Sequence, residues 1–260
     1  MIRARAAILL AMLSCAGALA QAPAAKPPAG AAAPAAAAAK PLDCLLEPSL
    51  EVKLGSPVDG VISEIRVDRG ASVRRGQPLV LLNSQLEAAA VDSARGKAAF
   101  ARRKSERNDE LYKEQLISVQ DRDQLETEAK LAELELRERE AALRLRTISS
   151  PIDGVVVDRL MSPGDQISRA GGAILRLMRI DPLYIEVVAP AALFSRVRVG
   201  AIARVTVDGL PQQKPYSAKV TVIDRVIDAA SGTFRARLEL RNPDHSIPAG
   251  LRCRIEGLSG

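Results

Sequence analysis

Ser56-Pro57-Val58-Asp59-Gly60-Val61-Ile62, running on to Gly70 and Val73, is matched by Ser150-Pro151-Ile152-Asp153-Gly154-Val155-Val156, running on to Gly164 and Ile167 at the same internal offsets. In each copy Pro presets one dihedral and Asp-Gly supplies a tight turn ahead of a short apolar strand. Gly70 or Gly164 then breaks the chain before a second apolar run, Leu79 to Leu82 or Ile174 to Leu177. One such strand-turn-strand unit exposes an apolar face that it cannot bury alone, whereas two related copies stacked face to face make a small sandwich. A β-domain in two halves, residues 55–83 and 148–179, is therefore expected, with an insertion between them.

The insertion, 84–147, contains no proline and is dense in Ala, Leu, Glu, Arg and Lys, the residues that lose least on becoming helical. Leu125, Ala129, Ala132, Leu136 and Leu143 recur at spacings of three, four and seven, the pattern of a coiled-coil seam. The preceding arm offers a thinner stripe of Leu86, Ala89, Ser93, Phe100 and Leu111, with Gly96 as a candidate point of close helix approach. Ser118 followed by Asp121 reads as an N-cap with its capping-box partner, so the chain reverses near Leu116-Ile117-Ser118 and exposes the two apolar residues there. An antiparallel helical hairpin, each arm roughly 45 Å long, is expected to project from the β-domain.

Before and after this core the texture differs. Residues 1–20 carry Arg3 and Arg5, an apolar stretch and Ala18-Leu19-Ala20, the layout of a secretory signal peptide; Met12-Leu13-Ser14-Cys15 offers the competing possibility of a lipoprotein box acylated at Cys15. Residues 21–41 are almost wholly Ala, Pro and Lys, with nothing to bury, and read as a linker. Past residue 180, β-branched alternating runs at Leu183–Val188, Ala201–Val207, Ala218–Ile227, Phe234–Leu240 and Leu251–Ile255, with one short helix over Pro190–Val197, predict a small barrel.

The split half-motifs resemble the lipoyl-like (biotinyl-like) domain, and their interruption by a hairpin is similar to the periplasmic adaptor subunits, or membrane fusion proteins, of tripartite efflux pumps of the RND/HlyD type. The fold class implied is β with a long inserted α-hairpin: lipoyl-like sandwich, antiparallel coiled coil and small β-barrel. The barrel would comprise 42–54 and 180–258, with Leu50 to Leu54 as a strand lent from before the sandwich; Ala230-Ser231-Gly232-Thr233-Phe234-Arg235 and Ile247-Pro248-Ala249-Gly250-Leu251 sit where the family has its strand connections. Arg107-x3-Leu111-x6-Ser118 looks like the motif with which such hairpins dock on a TolC-type outer-membrane channel, Arg107 as charged donor, Leu111 as apolar knob and Ser118 as small polar contact. Each has a plainer role as solvated arginine, seam residue and helix cap.

The resemblance implies a periplasmic protein associated with the inner membrane, working with an RND transporter, a TolC-type channel and further copies of itself. Leu131 and Leu134, off the main seam, are candidate flanks for packing between copies. Many such adaptors add a membrane-proximal β-domain after the barrel; its absence before Gly260 would leave pump contact to the barrel and lipoyl modules, or mark a reduced relative. A type I secretion adaptor is disfavoured, because those resemble proteins with an N-terminal membrane helix and longer hairpins. A biotinyl or lipoyl carrier would need a lysine at the junction, where Leu82-Asn83-Ser84 stands and the nearest, Lys97, lies within the helix. A coiled-coil module without a transport role is the remaining alternative.

No enzyme, metal or cofactor is expected. His245 is the single histidine, in an Asn-Pro-Asp-His turn, and Gly171-Gly172 lacks the lysine and helix start of a phosphate loop. Asp224 and Asp228 fall on strand and turn positions where solvated charge is the default. The net charge of +6 is spread among acids and only 2% of residues are aromatic, so no nucleic-acid stacking surface is expected. Cys44 and Cys253 are either a structural disulfide, available in an oxidising compartment if the first segment pairs with the last strand, or two buried thiols.

Overall fold

A computed structural model of the chain describes residues 41–211 and 214–258. The signal peptide, Cys15 and nearly all of the Ala/Pro segment lie outside the described residues.

The first half-motif forms β2 (Gly60–Ile65), β3 (Ser72–Val73) and β4 (Pro78–Leu82); the second forms β5 (Thr147–Ser149), β6 (Gly154–Arg159) and β7 (Gln166–Ile167). The halves exchange partners: β2 pairs with β7, Gly60 opposite Ile167, and β3 pairs with β6, Val73 opposite Gly154. Backbone bonds repeat the exchange, Gly164 N–H donating to Ile62 O and Gly70 N–H to Val156 O, both at 2.8 Å. Each motif aspartate also serves the other half. Asp59 Oδ1 accepts from Arg169 N at 2.5 Å, and Asp153 Oδ1 accepts from Arg75 N at 2.9 Å. The motif serines close their own turns, Ser56 Oγ donating to Val58 O and Ser150 Oγ to Ile152 O. Neither half can satisfy its backbone or bury its apolar face alone, and the joint core of Ile62, Leu79, Leu82, Ile152, Ile167 and Leu177 is essentially dry.

The barrel is built by β1 (Leu42–Leu54), β8 (Leu175–Pro190), β9 (Ile202–Val207), β10 (Tyr216–Ile223), β11 (Thr233–Leu240) and β12 (Arg252–Glu256). Strand order β1-β12-β9-β10-β11-β8, closed by β1 against β8, leaves no free edge. Its core includes Leu46, Ile185, Val205, Phe234 and Leu238. Asn242 is buried there, its amide donating to Ile180 O and Ile247 O while its carbonyl accepts from Ile247 N, so every polar atom is met. Pro190–Val197 is not a helix: only Ala191–Leu193 makes a single 3-10 turn, which seats Phe194 edge-on against Phe234 at 5.3 Å between centroids.

The lent strand differs from expectation. Leu42–Pro48 is the part of β1 in the barrel wall, whereas Leu50–Leu54 pairs with Leu175–Arg179 of β8 and turns Val52 and Leu54 onto the sandwich core. A bulge between Pro48 and Leu50 re-aims the side chains midway along one strand. β1 and β8 thus run through both modules as shared rails.

The hairpin comprises α1 (Gln85–Lys113) and α2 (Val119–Arg144). On α2 the expected seam faces inward, with Ala129 buried and Leu125, Ala132, Leu136 and Leu143 half-buried. On α1 the expected stripe fails except at Leu111, which is half-buried. Leu86 and Phe100 are 79% and 61% exposed and Ala89 and Ser93 are also outside, while Val91, Ala94, Ala98, Ala101, Ser105 and Asn108 face α2. Both sets repeat at three and four; the small set wins because two helices joined by a short loop lie too close for Phe at the contact. Gly96 is not at the helix contact either, since a Cβ there would meet nothing within 4 Å.

Candidate functional site

The hairpin tip is where the sequence concentrates candidate contacts, and its conformation is over-determined. α1 ends in a Schellman closure: Leu116 N–H donates to Leu111 O and Gln115 N–H to Tyr112 O, each at 2.9 Å. The C′ residue adopts a left-handed conformation, φ 60°, and here it is Gln115 rather than glycine. Leu116 and Leu111 are the positions such a closure brings into apolar contact. α2 begins at Ser118, whose Oγ accepts from Asp121 N at 3.1 Å while Asp121 Oδ2 accepts from Ser118 Oγ at 2.7 Å and from Ser118 N at 3.4 Å.

Charged contacts brace the last turns. Lys113 Nζ lies 2.8 Å from Asp109, which holds the Asp109 carboxyl below its ordinary range and raises Lys113. Hydrogen bonds from Gln124 and Lys104 likewise lower Glu128. Arg122 is raised by its hydrogen bond to Asp123 and stacks over the Tyr112 ring at 4.6 Å, joining the two arms. These surface pairs orient side chains more than they add stability.

Within this frame Arg107 is exposed and has no ion-pair partner among the described residues. Leu111 stands one turn further along α1 and is half-buried, with part of its side chain open. Ser118 is exposed but its hydroxyl is committed to the cap. Leu116 is 65% exposed, Val119 is exposed and Ile117 is half-buried. The arrangement is a braced projection that presents both polar and apolar side chains. Among the described residues no group of three or more His, Cys, Asp or Glu is disposed to hold a metal, and no helix is long and apolar enough to cross a membrane.

At the other end of the hairpin sits a contact that the sequence did not reveal. The Arg146 guanidinium donates to Glu87 on α1 at 2.5 Å and to Asp59 O in the first half-motif turn at 2.7 Å, with both ionic side chains about four-fifths buried, at 21% and 18% exposure. One residue thus fixes both arms to the sandwich. Gly60 makes room for it, since a Cβ there would lie 2.8 Å from Arg146 Nη1. At the barrel, Cys44 of β1 stands opposite Cys253 of β12 and their sulfurs are bonded, with Cα atoms 4.9 Å apart.

Comparison with known proteins follows the same division. Residues 51–175 match the family described as CzcB-like, barrel-sandwich hybrid domain, and residues 182–257 match that described as CusB-like, beta-barrel domain. The antibiotic efflux pump periplasmic linker protein ArpA of Pseudomonas putida is 23% identical over 210 residues, covering 75% of this chain and 56% of ArpA. The multidrug efflux pump subunit AcrA of Escherichia coli K12 is 24% identical over 229 residues, covering 76% of this chain and 57% of AcrA. This chain therefore spans about half the length of the curated relatives it matches. A MacA-MexA chimeric protein carrying the Pseudomonas aeruginosa MexA α-hairpin superposes with a TM-score of 0.70 at 20% identity, covering 84% of this chain and 79% of the chimera, and has the same fold. With a barrel-sandwich hybrid module, a β-barrel module and the inserted hairpin in family order, the chain belongs to the membrane fusion proteins, the periplasmic adaptor family of RND-type efflux systems.

Proposed function

We propose that this protein is a periplasmic adaptor that links an inner-membrane transporter of RND type to a TolC-type outer-membrane channel, acting by assembly and not by catalysis. The observation that carries this is the hairpin tip, where a Schellman closure and a capping box hold Arg107, Leu111 and Ser118 on a stiff projection. Ser118 supports docking chiefly by its small size, because its hydroxyl is already engaged. The barrel end would meet the transporter, and several copies would stand side by side around the exported compound's path. The inner-membrane association, by lipid at Cys15 or by the transporter alone, is part of the same proposal.

The test is genetic and biochemical together. Deleting the gene should lower tolerance to at least one exported drug, solvent or metal ion, and the wild-type chain should restore it while co-purifying with a channel and a transporter. Unchanged tolerance across such a panel, with neither partner recovered, would contradict the proposal.

A further inference from the structure

β8 leaves the sandwich at Leu175 and ends at Pro190, at the end of the barrel remote from the hairpin. There residues 224–232 join β10 to β11. Asp224 N–H donates to Arg235 O and Asp228 N–H to Thr233 O, both at 2.9 Å. Between these anchors Arg225, Val226 and Ile227 stand opposite the single residue Phe234, so the extra residues are pushed out of the ladder. Val226 is 80% and Ile227 42% exposed, and Val188, Val199 and Val222 are also exposed towards this end. The outward row nearer the sandwich is polar instead, with Glu47, Tyr184, Glu239 and Lys219 side by side. Apolar side chains on a projecting loop contribute little to the fold, and grouped at one end they mark a contact surface.

Charge at this end is arranged around the loop. Residues 190–201 cross here, with Leu193, Phe194 and Val197 packed on the barrel core. Ala191 N–H donates to Gly232 O at 2.9 Å and Gly200 N–H to Val220 O at 2.8 Å, so Arg196 and Arg198 share this end with Arg225. These three and Arg235 are exposed, and none has an ion-pair partner among the described residues. Of the two acids in the loop, Asp228 is engaged by the backbone N–H groups of Ala230 and Ser231, which hold its carboxyl below the ordinary range. Asp43, Asp208 and Glu256 gather around Arg254 on the β1, β12 and β9 wall. The chain also enters here. Cys44 stands opposite Val187, so Leu42 is level with Ala189, and residues 1–41, with the candidate lipid site Cys15, join the fold at this end.

We propose that residues 224–232 dip into the interfacial layer of an anionic lipid membrane, with Val226 and Ile227 at the acyl boundary and Arg196, Arg198, Arg225 and Arg235 among the headgroup phosphates. Burial of the aliphatic tip and attraction of arginine to anionic headgroups act together, and the second falls as salt is added. A projecting tip of β-branched residues suits a soft layer, which needs no pocket of matching shape. The contact deepens the inner-membrane association in the proposed function and rests on that reading. It is independent of a lipid at Cys15 and lies at the opposite end of the molecule from the hairpin tip.

The test uses the chain from Gln21 onward, which lacks the apolar leader and Cys15 but keeps every described residue. It should float with vesicles of phosphatidylcholine and phosphatidylglycerol, bind far less to phosphatidylcholine alone, and be released as salt is raised. Val226→Ser with Ile227→Ser should abolish binding and leave the melting temperature unchanged, because both side chains are exposed. Arg225→Gln should weaken binding about fivefold, one arginine's share at an anionic surface. The chain has no tryptophan, so Val226→Trp places a single reporter in the loop. Its emission should shift to the blue on anionic vesicles, and Leu116→Trp at the hairpin tip should not respond. No flotation, flotation kept by the double serine variant, equal binding to neutral vesicles, or a response from Leu116→Trp overturns the proposal. So does a Val226→Trp shift that appears only in vesicles carrying a co-purified transporter, which would assign the loop to a protein surface. Channel binding is scored separately on the same chain. A channel bound without any lipid response sinks this contact alone, and a lipid response with no channel bound sinks the docking reading and leaves the lipid contact standing.

Discussion

Gly60 and Gly154 occupy the same position in the two half-motifs, and the same substitution should affect them very differently. Neither has a positive φ, so alanine adds no backbone strain at either, and in both cases it lowers unfolded-state entropy by about 0.4–1 kcal/mol in favour of folding. At Gly154 the new Cβ would lie 2.3 Å from Met178 O and 2.9 Å from Met178 C, against the rail strand β8. Ordinary carbon contacts need about 3.5 Å, so β6 and β8 must move apart where Val155 pairs with Met178. Overpacking costs about 1–3 kcal/mol and a weakened ladder bond about 1 kcal/mol more. Gly154→Ala should therefore lose about 2 kcal/mol net. At Gly60 the obstacle is Arg146 Nη1 at 2.8 Å, the end of a flexible side chain that can swing away at the expense of its bond to Asp59 O. Gly60→Ala should lose about 1 kcal/mol. Urea unfolding of wild type and both variants, followed by circular dichroism, separates the two. Equal losses, or the larger loss at Gly60, would refute the assignment of β8 as a fixed rail and Arg146 as a movable latch.

Other outcomes follow from the tip and the barrel. Gln115→Gly should stabilise the hairpin by about 0.5–1 kcal/mol, since glycine takes the left-handed C′ position without steric cost, and a higher melting temperature would register it. Cys44→Ser should cost up to about 5 kcal/mol, because the lost cross-link spans 209 residues of sequence; an unchanged urea midpoint would argue against a stabilising bridge. Asp109 and Glu128 both ionise below their ordinary range in the folded hairpin, so their contribution is present above the ordinary carboxylate range, near pH 4, and is lost as pH falls through the lowered values. Tip helicity should hold from neutral pH to about 5 and decline below about 4, and replacing Lys113 by Met should return the Asp109 titration in a carboxyl NMR experiment towards its ordinary range.

What could be read from sequence was what is encoded locally. Pro and Asp-Gly mark both half-motifs whatever surrounds them, and Ser118 with Asp121 lies within one turn, so its capping box needs no tertiary knowledge. The α2 seam was legible because Leu125, Ala129, Ala132, Leu136 and Leu143 keep one unbroken spacing of three, four and seven, which Leu131 and Leu134 do not share. The α1 seam was not, because hydrophobicity favours Leu86 and Phe100 over Ala94, Ala98 and Ala101, while the spacing of two close helices favours the small residues. Gln115 carries no sign of a left-handed conformation; only its flanking closure imposes it. Arg146 looked like one more helix arginine, since its partners Glu87 and Asp59 are remote in sequence. The division of β1 between barrel and sandwich was hidden because its apolar alternation keeps the same phase on both sides of the bulge, with Pro48-Ser49 as its one local mark.

The most direct measurement is binding of the purified wild-type chain to the TolC-type channels of its own cell, beside Arg107→Asp and Leu111→Ser. The account predicts binding by wild type to at least one channel and its loss in both variants, with helicity retained. Wild-type binding to no such channel, or binding indifferent to both substitutions, would contradict the docking tip.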